Sequence, residues 1–212
     1  MIYLKKIVKK IYWLLIKNIP ITRCIYETKN TQTPITFRYW FYQKVLGFNR
    51  HAYWQVHFTS IVTDPKNITA GIETSPGMMP GCYIQSMGKI EIGDYTQIAA
   101  NVGIISSNHD LYNTNKHIVD NVKIGKYCWI GMNSVILPGV VLGDFTIVGA
   151  GSVVTKSFED GYCVIGGSPA KLIKHLEKEN CTGYESKYKY NGYILNSEFE
   201  KFKKDYLNNY YS

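Results

Sequence analysis

The chain lacks any apolar stretch long enough to cross a bilayer. In its most apolar N-terminal part the uninterrupted run is only Ile11 to Ile16. A spanning helix needs about 20 residues. The same run is short for a signal-peptide core, and no small-residue cleavage site follows it. Cysteine is sparse and unpatterned. Cys24, Cys82, Cys128, Cys163 and Cys181 are five in number and contain no CxxC pair. An odd, scattered set argues against a disulfide framework and for free thiols in a reducing, cytoplasmic setting. Cys128 and Cys163 are expected as small core or wall residues. Acidic side chains are outnumbered: 24 Lys and Arg stand against 16 Asp and Glu, a net charge of +8. This balance favours anionic partners such as a phosphorylated cofactor, an acidic glycan or a membrane surface. No zinc-finger spacing, RNP-type motif or P-loop is present, so nucleic acid is not indicated. Asn67-Ile-Thr and Asn180-Cys-Thr match a glycosylation pattern and read as chance.

What the chain does have is a repeat. Ile92, Ile98 and Ile104 fall six apart. After a break, Ile118, Ile124, Ile130, Ile136, Leu142, Val148 and Val154 continue at six-residue intervals. Gly93, Gly125, Gly131, Gly143 and Gly149 each follow one of these aliphatics. Six matches neither helix nor simple strand. It implies one short strand and one corner per hexapeptide, with the aliphatic residue inward and the small residue permitting close backbone approach. Three such faces close one coil of a triangular prism, and successive coils pair as parallel strands. The expected class is an all-β solenoid.

In chain order, residues 1–19 are basic on one helical side and apolar on the other, and Pro20 ends them. They read either as a helix packing on the protein's own assembly or as an interfacial helix on anionic lipid. The remainder of the region 1–55 is aromatic and irregular, with a short helix expected around 36–46. Residues 56–89 read as degenerate coils, with Pro76 to Pro80 as a turn. His51 and His57 are read as ordinary polar or wall residues. Regular coils run to about residue 167. Between Ile104 and Ile118 the count is fourteen, two more than two repeats. The polar segment 105–117 is therefore expected to leave one corner as a loop, and loops on rigid scaffolds carry function. Ser168-Pro169 resembles a helix start, giving an expected helix over 170–178. Ser197-Glu-Phe-Glu200 matches a capping box, the start of a second short helix in the tail 168–212.

These motifs carry a resemblance. Ile92-Gly-Asp, Ile98-Ala-Ala-Asn-Val, the Asn-His-Asp segment, Ile124-Gly-Lys-Tyr-Cys-Trp-Ile-Gly, Gly149-Ala-Gly-Ser-Val-Val-Thr-Lys and Gly166-Gly-Ser-Pro-Ala-Lys resemble the hexapeptide-repeat acetyltransferases. That family includes maltose, galactoside, capsule and O-antigen O-acetyltransferases. The resemblance implies a left-handed parallel β-helix, here with an N-terminal helical segment and short C-terminal helices. It further implies acetyl-CoA as co-substrate, a homotrimer with sites between subunits, and a carbohydrate acceptor, lipid-linked if residues 1–19 meet a membrane. His109 takes the place of the family's catalytic histidine. An imidazole suits general-base removal of a hydroxyl proton at neutral pH. His117 is the competing candidate. Where relatives commonly have proline after this histidine, the chain has Asp110. Asn108 and Asp110 read as acceptor contacts, or Asp110 as a loop stabiliser. Trp129 reads as a cleft-lining residue or a plain wall residue. By the same resemblance, Gly131, Ala150, Thr155, Lys156, Lys171 and Lys174 are the coenzyme contacts, and no metal is implied.

Alternatives remain open at this level. The same base and cleft would serve N-acetylation of an amino sugar. A metal-dependent hydratase would need three converging histidines, for which His109, His117 and His175 are the candidates. A silent assembly module would bind no coenzyme.

Overall fold

The computed structural model describes residues 5–7 and 23–207. Most of the amphipathic segment 1–19 thus lies outside the described residues; Lys5, Lys6 and Ile7 are helical and exposed. Helix α1 (Arg23–Glu27) leads to α2 (Phe37–Trp40), which continues as a π-type turn over Phe41–Val45. Thr36 caps α2 by accepting a hydrogen bond from the Tyr39 amide. The short helix expected around 36–46 is therefore present.

The solenoid opens with β1 (Ile61–Val62) and β2 (Ile68–Ala70). The next coils are built from β3 (Tyr83–Gln85), β4 (Ile90–Ile92), β5 (Gln97–Ile98) and β6 (Gly103–Ile105). A hairpin of β7 (Ser107–His109) and β8 (His117–Val119) interrupts them. The winding resumes with β9 (Val122–Ile124), β10 (Trp129–Ile130), β11 (Val135–Ile136), β12 (Val141–Leu142), β13 (Thr146–Val148) and β14 (Val153–Val154). It ends at β15 (Cys163–Gly167), against which β16 (Ala170–His175) folds back. Sheet I stacks β1, β3, β6, β11 and β14; sheet II stacks β2, β4, β9 and β12; sheet III stacks β5, β10, β13, β15 and β16. Pairing between coils is parallel throughout. The protein is a left-handed parallel β-helix.

Hexapeptide phase and core coincide. Ile92, Ile98, Ile104, Ile124, Ile130, Ile136, Leu142, Val148 and Val154 are all buried in one cluster. At the corners, buried hydroxyls answer carbonyls that the turns leave unpaired. Thr96 donates to the Gly125 carbonyl at 2.7 Å and Ser134 to that of Gly149 at 3.0 Å. Such pairing is what a buried polar group requires.

Three expectations are corrected. Ile118, counted as the first resumed repeat, is 53% exposed and belongs to the hairpin. The regular repeat resumes at Ile124, with Val122 buried beside it. Residues 170–175 form a strand, not a helix. The Ser-Pro signal is local, but the last coil offers an open edge of backbone donors and acceptors. The Gly167 turn, with φ +100°, and the cis Ser168–Pro169 peptide reverse the chain onto that edge. Helix α3 (Asn196–Phe202) is present, yet its N-cap position is Leu195, which gives no side-chain cap, so Ser197 lies within the helix and does not cap it.

Three of the 18 tyrosines, with one phenylalanine, form a ladder along the outside of the prism. Tyr95, Tyr127, Phe145 and Tyr162 sit at equivalent corners between sheets II and III, stacked with centroids 5.3, 4.9 and 5.1 Å apart. Each has φ between 45° and 58°, costly for aromatic residues and offset here by stacking. The tail passes along this ladder. Lys178 lies over the Tyr162 ring, Tyr127 donates to the Tyr184 carbonyl, and Tyr95 accepts from the Ser186 amide. The chain then forms the hairpin β17 (Tyr190–Asn191) and β18 (Ile194–Leu195). From there α3 packs Phe199 against Tyr53 near the first coils.

Candidate active site

The segment 105–117 is a two-stranded hairpin rather than an irregular loop. It leaves the corner between sheets I and II, where Ser106 bonds the previous coil through Gln85 and Gly88. In register, His109 faces His117, with ring centroids 4.4 Å apart. Nδ1 of His109 lies 2.7 Å from the Thr114 carbonyl. A carbonyl only accepts, so Nδ1 carries the hydrogen of the neutral ring and Nε2 is left with a lone pair. That tautomer is the one a general base needs. Both imidazoles are exposed. Among the described residues no group of three His, Cys, Asp or Glu converges on a metal-sized site.

Asp110 has a structural task. Its Oδ1 accepts hydrogen bonds from the amides of Tyr112 and Asn113, at 2.9 and 2.8 Å. This closes the turn that presents the Thr114 carbonyl. Asn108 is exposed on the same hairpin.

Trp129 stands on the outer face of sheet III, 55% exposed. Its row is continuous across strands: Gln97, Trp129, Ile147, Val164 and Lys174 are in register. Three strand spacings of about 4.8 Å place Trp129 and Lys174 roughly 14 Å apart along one face. Lys171 pairs with Gly166 on the same hairpin. Ala150 is exposed at a corner between sheets III and I. Gly131 occupies the equivalent corner one coil earlier but is buried. A Cβ there would lie 2.6 Å from the Val148 carbonyl oxygen and 2.7 Å from the Ala150 amide nitrogen. The need for glycine at 131 is thus met by coil-on-coil contact. Thr155 and Lys156 are exposed at the corner between sheets I and II, the edge that bears the hairpin. Lys156, Lys171 and Lys174 form no ion pair among the described residues.

The sequence-named residues therefore form two groups. His109, Asn108, Asp110, Thr155 and Lys156 follow the edge between sheets I and II. Trp129 and Lys174 occupy the face of sheet III, which lies across the prism from that edge; Lys171, on the same terminal strand, and the corner residues Gly131 and Ala150 border it. Two features escaped sequence reading. One is the Thr114 carbonyl, since a backbone atom leaves no residue signal. The other is the corner pair Asn101 and Asn133, whose side chains bond at 3.0 Å. Its available signal was asparagine at recurrent left-handed corners, where φ is +58° and +59°.

Residues 121–156 match the family model described as bacterial transferase hexapeptide (six repeats). The matched residues run from β9 to β14, the regular coils that follow the hairpin. Among solved structures, the chain is similar to a maltose O-acetyltransferase from Clostridium difficile 630. The TM-score is 0.53 at 28% identity, covering 78% of this chain and 89% of that one. It is also similar to a galactoside acetyltransferase in complex with coenzyme A, with TM-score 0.50 and 28% identity, over 63% of this chain and 70% of that one. No curated protein matches the chain.

Proposed function

We propose that the protein transfers an acetyl group from acetyl-CoA to a carbohydrate hydroxyl, of the kind found in capsule or O-antigen sugars. The observation that carries this reading is the His109 imidazole, presented on a hairpin with Nδ1 tied to a carbonyl and Nε2 free. Its setting, a hexapeptide solenoid similar to two sugar acetyltransferases, supports the acyl chemistry.

The residues present fit an anionic, extended coenzyme. Lys156, Lys171 and Lys174 are exposed cations without carboxylate partners among the described residues, suited to phosphates as point charges. Ala150 and Thr155 offer exposed corner positions for an extended arm. The coenzyme supplies an activated acyl thioester. His109 takes the acceptor hydroxyl proton at Nε2 as that oxygen attacks, then delivers it to the departing sulfur. The Thr114 carbonyl keeps the ring in the working tautomer and stabilises the transient imidazolium. No group in the reading forms a covalent acyl-enzyme.

The two residue groups lie on opposite sides of one prism. A site that uses both His109 and Trp129 then needs two copies, which supports a trimer with sites between subunits. The same base would serve an amino sugar. The O-acetyl reading is preferred on the likeness to the maltose and galactoside enzymes. Within this reading, residues 1–19 would bring the enzyme to a lipid-linked acceptor at the membrane's inner face.

Calorimetric titration with acetyl-CoA, on the parent protein and on His109→Ala, tests the proposal. Micromolar binding by both, with turnover of a sugar acceptor lost by about 10²- to 10⁴-fold in the variant, is expected. Absence of binding by either would overturn the coenzyme assignment. Acetylation of amino sugars but not hydroxyl acceptors would move the reaction to nitrogen.

A further inference from the structure

The net charge of this chain is not spread along it. Residues 1–63 contain ten Lys and Arg against a single acid, Glu27. Residues 64–212 contain fourteen against fifteen. The whole positive excess therefore belongs to the N-terminal part. Three of the four tryptophans, Trp13, Trp40 and Trp54, are there too.

Within the described residues this region displays an unpartnered apolar stripe. Phe37, Phe41 and Val45 recur every fourth residue along α2 and its π-type turn, and Leu46 and Phe48 extend the row. All five are between 37% and 52% exposed. The opposite side of the same element is fastened to the body of the protein. Gln43 is fully buried and donates to the Ala52 and Trp54 carbonyls at 3.2 and 2.8 Å. Tyr39 donates to the Met78 carbonyl, and Lys44 is turned inward onto the Arg50 and Ala52 carbonyls. The stripe is thus held outward on a fixed platform, not left on a loose end. Arg38 and Arg50 are exposed within the same segment, and no carboxylate occurs between Glu27 and Asp64.

We propose that this face of α2 is a docking surface for an anionic lipid bilayer. Apolar and aromatic side chains flanked by cations fit the headgroup and acyl boundary of such a membrane. Each cation held near the surface adds attraction to anionic lipid. A second copy of this chain fits less well, because self-contact would bring Arg38 and Arg50 toward the same cations without an acid between them. In sequence the stripe follows the basic, apolar residues 1–19, most of which lie outside the described residues. The inference stands apart from the acetyl-transfer reading and needs no catalytic activity to be tested.

The experiment is flotation of the full-length protein with vesicles of phosphatidylcholine alone, or of phosphatidylcholine mixed with phosphatidylglycerol. Binding to the anionic vesicles is expected, weakened by raised salt, with little on the neutral ones. A Phe37→Ser/Val45→Ser/Leu46→Ser variant should partition about ten-fold or more weakly, with melting temperature and sedimentation in solution unchanged. Arg38→Gln/Arg50→Gln should lower the preference for anionic lipid while leaving residual apolar binding. A serine variant that floats like the parent would overturn the proposal, as would a parent protein that ignores anionic vesicles. A serine variant whose assembly state changes while its vesicle binding does not would assign the stripe to a subunit contact instead.

Discussion

Single residues carry two separate loads in this protein. Gly125 is required by packing. A Cβ at that position would lie 2.5 Å from the Asp144 Oδ1 and 2.6 Å from the Asp144 backbone nitrogen. The backbone of the next coil cannot withdraw without breaking its own ladder. Gly125→Ala is therefore expected to destabilise by about 1–3 kcal/mol, read as a lower denaturation midpoint. His109 carries chemistry in the proposed reading, and its side chain supports no packed core. His109→Ala should leave the melting temperature within about 2 °C of the parent while lowering turnover by about 10²- to 10⁴-fold, because exposed substitutions are usually worth less than about 0.5 kcal/mol. A large loss of stability in that variant would show that the hairpin depends on the ring.

Among the elements, the hairpin and the coil behave differently although their sequences carry the same aliphatic signal. Ile118 on β8 is half-exposed, whereas Ile124 on β9 is buried against Ile92 and Leu142. Ile124→Ala should cost about 2–5 kcal/mol, the range for emptying a packed core position. Ile118→Ala should be near neutral in a denaturant titration. Equal costs for the two would mean that Ile118 is covered in the assembled protein. The last strand makes a related point. Ser168-Pro169 is a sound local helix signal, but β15 leaves its edge open where the solenoid stops. Satisfying that edge outweighs the local preference.

At the scale of the whole molecule, the solenoid buries thiols in its wall and a phenol at its first coils. Burial pushes the Cys128 thiol from an ordinary value of 9.0 up to about 12. The Cys82 and Cys163 thiols are raised by burial as well, and so is the buried Tyr53 phenol. A group whose folded value is raised stabilises the fold fully below its unfolded value. That contribution is lost as pH rises toward the folded value. Stability should therefore hold near pH 8 and fall progressively between about pH 9 and 12. Thermal melts across that range check it. Cys128→Ala should flatten the alkaline decline, and an unchanged slope would remove the thiol as its source. In the native protein at neutral pH, a thiol reagent should label Cys181 first. It is the one cysteine that is not buried.

The sequence by itself determined the solenoid and its phase. An inward aliphatic every six residues is a local pattern, and the regular coils on either side of the hairpin obey it. Ile92, Ile124, Ile130 and Val148 could be named as core for that reason. The hairpin that carries His109 was legible as the stretch where the regular count breaks. Tertiary structure alone decided the rest. Trp129 meets Gln97 and Ile147, and Lys174 meets Val164, through pairings between coils that no local window contains. The antiparallel strand after Pro169, the outward turn of Ile118 and the tyrosine clasp likewise depend on which edges and corners are left open once the coils have stacked. Local propensity sets what each hexapeptide can do; unsatisfied backbone and exposed apolar surface at the ends and edges of the stack set where the remaining segments go.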